Sequence, residues 1–401
     1  MKVSLTYITT LLLIPALLEV IDSSVLIVNI PGSPLSFGRL CFILAGFMSL
    51  YKIKYLKNNR IFIALIIIQL GLYIGILFSP DILVGLSRTI AFSLLMFSAA
   101  ALSFSWRKEV FQRLLNFSMI GMFSYWVIYI TTNVFSGNTL LLYSQLFKND
   151  DVVNHHVVGL AISTSAIYLA SQLISSSKTK KYIGFLLIII AITFCLFIQS
   201  RSNTLFTLIA GLTLYLINNK VSIKFFILTI PLLIISTILY LNYVSAFEAI
   251  SGRFDLTDID YQSRTNQSRI KLLELFFETF INYPFGKGIT NIKLHYGNGR
   301  NFFVHNQYLT FIIAGGIFAL IGVVIWIRNI IKISMLILIK KWKYQISKFE
   351  TALIINLIVF SMTLLTVDTS GLFFFFQISF TIYLMSRYRE IILNSKYKIN
   401  K

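Results

Sequence analysis

Residues Phe302–Arg328 read FFVHNQYLTFIIAGGIFALIGVVIWIR, and no Asp, Glu, Lys or Arg interrupts the run between Phe303 and Ile327. About 20 mostly apolar residues suffice to cross a bilayer as a helix. As a helix rising ~1.5 Å per residue, this run extends roughly 40 Å against a hydrocarbon core of about 30 Å. Either its first turns protrude or the helix tilts. Eleven further runs of this kind occur, at about 4–21, 35–51, 61–79, 82–104, 113–135, 156–176, 182–199, 202–218, 223–243, 351–367 and 370–386. The sequence therefore predicts an all-α polytopic integral membrane protein, one membrane domain over 1–401 with about twelve transmembrane helices. Composition agrees, with 57% hydrophobic and 12% charged residues, where a soluble chain carries about 25% charged ones. Low hydrophobicity is the signature of disorder, so a disordered chain is excluded. The first run is too long for a cleavable signal peptide and no small-residue cleavage site follows it, so it is expected to stay.

The net charge of +20 would suggest nucleic acid in a soluble protein. Here it sorts by side of the membrane. With the N-terminus inside, 24 of the 35 Lys and Arg fall in cytoplasmic segments, against only Glu109, Glu350 and Glu390 of the acids. The balance is +21 inside and −1 outside, and the alternation holds in every loop. Both termini are expected in the cytoplasm, and no nucleic-acid partner is expected. Cys41 and Cys195 lie inside apolar runs and read as small buried hydrophobes, not as a disulfide or zinc pattern.

The spans carry little charge, with Glu19 the main exception. Ion-coupled transport usually relies on ionisable residues at mid-membrane, so their scarcity weighs against a flippase or other transporter, which stays the alternative of another class. Polar chemistry concentrates outside. The segment 244–301 is the longest non-membrane stretch, a long outer loop between spans nine and ten. Within it Arg269–Glu278 has apolar residues recurring at 270, 273, 276/277 and 280/281, the spacing of an amphipathic helix lying on the outer membrane surface. Tyr283-Pro284-Phe285-Gly286-Lys287-Gly288 then breaks it. The run Phe373–Phe376 reads as lipid-facing or packing bulk.

Three outer groups can carry chemistry. Arg201, in Gln199-Ser200-Arg201-Ser202, sits at the tip of a tight hairpin between spans seven and eight; it also fits a snorkelling interfacial Arg. Arg253, Arg264 and Arg269 lie in the long loop, where Arg suits forked contact with phosphate or carboxylate. They can equally pair with Asp255, Asp258 and Asp260. Arg269 is expected to open the amphipathic helix, where the backbone also favours anions. His305, in the protruding start of span ten, can act as a base near neutral pH or donate to a phosphate, or be structural. Asp258-Ile259-Asp260 matches a divalent-cation pattern weakly, and His155-His156 lacks ligand spacing. No Walker, zinc or Ser/His/Asp arrangement occurs, so no cofactor and no metal is expected.

Three of these stretches resemble one family. Gln199-Ser200-Arg201-Ser202-Asn203 with Gly211, Arg269 with Pro284-Phe285-Gly286-Lys287-Gly288, and His305-Asn306-Gln307-Tyr308-Leu309 with Gly315-Gly316 are similar, in order and spacing, to motifs of the O-antigen ligase and O-antigen polymerase (Wzy) superfamily. The motif-bearing region is about 185–330. One departure is that Leu272 or Leu273 replaces the usual aromatic after the loop Arg, which leaves Arg264 or Arg269 as the equivalent position.

The resemblance implies a GT-C-like membrane glycosyltransferase of the bacterial inner (plasma) membrane, active at its periplasmic face. It implies His305, Arg201 and Arg269 as catalytic residues, with Arg264, Arg253, Asn306 and Tyr308 binding the diphosphate or glycan. Its partners would be donor and acceptor glycans on undecaprenyl diphosphate, membrane lipid, and a chain-length regulator. A polymerase of O-antigen or capsular repeat units is the reading preferred; an O-antigen ligase acting on lipid A-core is the alternative.

Overall fold

The structure, a computed structural model, describes residues 5–21, 35–103, 108–135, 155–174, 178–198, 200–218, 259–290, 294–296, 300–302, 306–338, 347–364 and 372–399. These residues form α1 (Leu5–Ile21), α2 (Phe37–Met48), a 3-10 stretch (Leu50–Leu56), α3 (Arg60–Ile76), α4 (Ile82–Leu102), α5 (Lys108–Phe135), α6 (His155–Ile174), α7 (Lys178–Phe197) and α8 (Arg201–Asn218). Then follow α9 (Ile259–Asn282), α10 (Gln307–Leu338), α11 (Lys348–Thr363) and α12 (Leu372–Ile399). A short antiparallel pair with three residues in each strand, β1 (Leu294–Tyr296) and β2 (Arg300–Phe302), precedes α10. Eleven of the twelve expected spans coincide with a helix; the other, 223–243, lies outside the described residues. Among the described residues, four helical segments can cross a membrane by length and composition: Ile82–Leu102, Val157–Ile174, Thr179–Leu196 and Gln307–Met335.

Helix limits depart from expectation at two places that matter. Span ten does not begin at Phe302, which lies in β2; its helix starts at Gln307 and continues to Leu338. Arg269 does not open a helix, because α9 begins ten residues earlier at Ile259. Arg269 therefore lies inside a helix and not at an N-terminus whose backbone would draw anions.

Local chemistry sets several starts. Asn59 caps α3, its Oδ1 accepting from the N–H groups of Ile61 and Phe62, while its Nδ2 donates to the Ile382 carbonyl at 2.9 Å. Ser347 and Glu350 form a capping box on α11, each satisfying a backbone donor that the first turn leaves open.

The chain divides into two compact units, 1–122 with 276–401, and 123–275. In the first, α3 and α10 run antiparallel and close. A methyl at Gly71 would lie 2.5 Å from the Gly315 carbonyl oxygen, and one at Gly322 would lie 2.7 Å from that of Ala64. Small residues are the usual means of such approach between membrane helices. An aromatic core surrounds Phe374, with ring centroids 6.1 Å from Phe311, Trp326 and Phe360. Phe374, Phe375 and Phe376 are buried, so this run is packing bulk. Glu19 is buried too; Ser36 Oγ donates to it at 2.5 Å and Arg39 Nε stands 3.5 Å away. That buried acid ties α1 to the start of α2.

On the first unit's other side, Glu350 is buried and paired with Arg387 at 2.8 Å. Burial alone would raise its carboxyl; hydrogen bonds from Arg387 and Ser347 outweigh this and hold it below the ordinary range. In the second unit, α6, α7 and α8 pack mutually.

Candidate functional site

The hairpin between α7 and α8 is pinned from below by buried polar residues. Ser200 is the last residue before α8; its N–H donates to the Cys195 carbonyl at 2.8 Å and its own carbonyl accepts from Thr204 N at 3.0 Å. Asn203 Nδ2 donates to Ser200 Oγ at 2.8 Å. One turn on, Thr207 Oγ1 donates to the Asn203 carbonyl and contacts Ser163 Oγ of α6 at 2.7 Å. Ser163 in turn meets Cys195 Sγ at 3.3 Å. Ser163, Cys195, Ser200, Asn203 and Thr207 are buried, so their polar groups need partners, and together they fix the hairpin to α6. Gly159 of α6 makes the approach possible, since a methyl there would stand 2.6 Å from Asn203 Nδ2. Arg201 is the first residue of the helix so held.

In the first unit the Pro284–Gly288 segment plugs a break in α10. At Gly316 the backbone leaves the helix, with φ 60° and ψ −145°, a conformation open in practice to glycine alone. The loop supplies what the break removes. Lys287 N donates to the Ile313 carbonyl at 2.9 Å and Gly288 N to that of Ala314 at 3.0 Å; Ile317 N donates back to the Pro284 carbonyl at 2.8 Å. Gly286 has φ 93°, and a methyl there would overlap the Ala314 carbonyl oxygen. Gly75 of α3 closes the other side, where a methyl would also strike Ala314 O. Two of the motif segments, 284–288 and 315–316, are thus one interlocked backbone structure.

Its depth follows from α3. Arg60 opens that helix, and Arg60 and Arg328 both repel Lys332, so the basic ends of α3 and α10 coincide. Gly75 is fifteen residues further, about 22 Å at 1.5 Å per residue. The break therefore lies about 22 Å along α3 from the basic end, a distance shorter than a hydrocarbon core of about 30 Å. Non-helical backbone at that depth requires protein partners for its polar groups, which the loop provides.

Asn306 caps α10: its Oδ1 accepts from Tyr308 N at 3.0 Å and Leu309 N at 3.1 Å. Tyr308 is buried, its hydroxyl donating to the Ser361 carbonyl at 3.2 Å and its ring 5.9 Å from Trp326. Gln307 N donates to the Leu364 carbonyl, tethering this start to α11. Of the residues singled out in the sequence, these two are the pair the structure brings together, and both have structural work there. Arg201, Arg264 and Arg269 lie on helices, Arg201 on α8 and the others on α9. Arg253 and His305 lie outside the described residues. Among the described residues no group of three His, Cys, Asp or Glu gathers as a metal site.

Sequence reasoning gave no role to Lys287. It is 7% exposed, and its Nζ lies 4.7 Å from the Tyr283 ring centroid. A lysine between two glycines of a turn was the available signal.

The architecture is that of a helical membrane protein with a glycine-built helix break. Residues 186–324 match the family described as Wzy_C, O-antigen ligase. This match, about a third of the chain, supports the O-antigen polymerase/ligase superfamily for this protein. No curated protein and no solved structure matches the chain.

Proposed function

We propose that the protein polymerises oligosaccharide repeat units carried on undecaprenyl diphosphate, at the periplasmic face of the inner membrane. The observation carrying this is the match over 186–324, a family whose substrates are lipid-linked oligosaccharides. It contains Arg201, Arg269 and His305, and it spans the interlocked segments 284–288 and 315–316. Twelve spans with cytoplasmic termini accord with the charge distribution.

In the reaction an acceptor hydroxyl oxygen attacks the anomeric carbon of the donor sugar. The bond from that carbon to the diphosphate oxygen breaks, and the diphosphate leaves with the electron pair. Arg201 and Arg269 neutralise the charge gathering on it, the kind of electrostatic help that lowers the barrier most. His305 takes the acceptor proton. Arg253 and Arg264 hold the diphosphate or glycan in the ground state. Asn306 and Tyr308 fix the helix start that follows His305.

The second reading is the ligase, favoured by the family's description as O-antigen ligase. A deletion strain separates the two. Single lipid-linked repeat units accumulating at the outer leaflet mean polymerase; full-length lipid-linked polymer means ligase. Repeat units trapped on the cytoplasmic leaflet would remove both in favour of a flippase.

A further inference from the structure

Lys287 sits where a cation is hardest to justify. It is 7% exposed, and among the described residues no carboxylate pairs with it and the face of the Tyr283 ring is the charge-compensating neighbour. A buried ammonium without a counter-charge is costly, and a ring face compensates a small part of that cost.

We propose that Lys287 binds a phosphoryl oxygen of a phosphate-bearing lipid, the ligand supplying the negative charge that none of the described residues brings to it. With a prenyl diphosphate as that lipid, the inference rests on the polymerase/ligase reading; the contact itself does not. The backbone beside Lys287 is already spent. The N–H groups of Gly286, Lys287 and Gly288 donate to Tyr283, Ile313 and Ala314, so the side chain is what remains for a ligand. The loop holding it is rigid, wedged between Gly75 and the break at Gly316, which preorganises the ammonium. Beside it the surface is apolar: Leu77, Phe78, Ile281 and Phe285 are exposed, and Phe78 stacks on Phe285 at 6.3 Å. That pairing of one buried cation with an open apolar rim fits an amphiphile, phosphate at Lys287 and chain along the rim, and not a soluble phosphate.

The test is equilibrium binding to the full-length protein in detergent, with undecaprenyl diphosphate, phosphatidylglycerol and undecaprenol as probes. The variants are Lys287→Met, Lys287→Gln and Lys287→Arg. Wild type should prefer phosphorylated lipid to undecaprenol by about tenfold or more, the scale of a charge-assisted contact. Both neutral variants should lose that preference and Lys287→Arg should keep most of it. A loss confined to undecaprenyl diphosphate identifies the prenyl lipid as the ligand; an equal loss for phosphatidylglycerol identifies a general headgroup contact. Removing a buried charge while keeping an apolar stem should leave Lys287→Met at least as thermostable as wild type. Neutral variants that bind both phosphorylated lipids like wild type overturn the proposal. Binding is read without transfer, so a protein that binds through Lys287 yet makes no polymer loses the polymerase reading and keeps this contact.

Discussion

Gly288 N donates to the Ala314 carbonyl at 3.0 Å, joining residues 26 apart in sequence at the point where α10 breaks. The bond replaces a helical one that the turn at Gly316 removes. The Gly-rich loop and the Gly-Gly pair are therefore a single structural unit, and damage to either should resemble damage to the other.

Gly286→Ala and Gly316→Ala should each destabilise the protein. Each forces an L side chain into a positive-φ conformation, about 1–3 kcal/mol before any clash, and each meets backbone oxygen. Gly85→Ala is the control: it lies in α4 with its nearest neighbour at 3.5 Å, and should be neutral or slightly stabilising. Thermal melts in detergent check all three.

Asn306→Ala should cost about 1 kcal/mol through loss of the α10 cap. Asn306→Asp keeps the cap acceptor. If Asn306 also binds substrate, Asn306→Asp should melt like wild type and still lose activity. Full activity in Asn306→Asp would leave only the cap.

The Glu350–Arg387 pair predicts an acid-side loss of stability. Glu350 is depressed in the folded state, so its contribution is complete above the unfolded carboxyl pKa of about 4.3. It is lost as pH falls below that value through the folded pKa. Glu350→Gln should be less stable than wild type at pH 7, and the gap should narrow below about pH 4. A melting-temperature series between pH 7 and pH 3 reads this.

Gly159→Leu should displace the hairpin that begins α8, because its side chain would enter the space of Asn203 and Ser200. The expected result is normal membrane insertion with reduced polymer length. Normal polymer would mean that the position of Arg201 is not critical.

The apolar helices were legible because unbroken Ile, Leu and Phe runs need no tertiary context to be read. Helix limits were less so. Asn306 before Gln307-Tyr308-Leu309 is a recognisable cap signal, but the apolar Phe302 and Phe303 drew the span start upstream. The first half of α9, Ile259–Ser268, is too polar to show helical periodicity, so Arg269 looked like a helix start. The break at Gly316 was invisible for a different reason. Adjacent glycines are common in membrane helices, and only the loop at 284–288 makes this pair a break. The motif order at Arg201, Arg269 and His305 was legible; the cluster beneath Arg201 was not, because Ser163, Cys195 and Thr207 meet only after three helices pack.

The most direct measurement is polymerisation by purified protein given a defined lipid-linked repeat unit, comparing wild type with Arg201→Ala, Arg269→Ala and His305→Ala. Wild type should build long chains from single units without added cofactor. Each variant should remain folded and yield mainly single units, with rate losses of about 100-fold or more, the usual scale for losing a transition-state charge partner or a general base. Wild-type chain lengths in all three variants would contradict the assignment of these residues and with it the proposed chemistry.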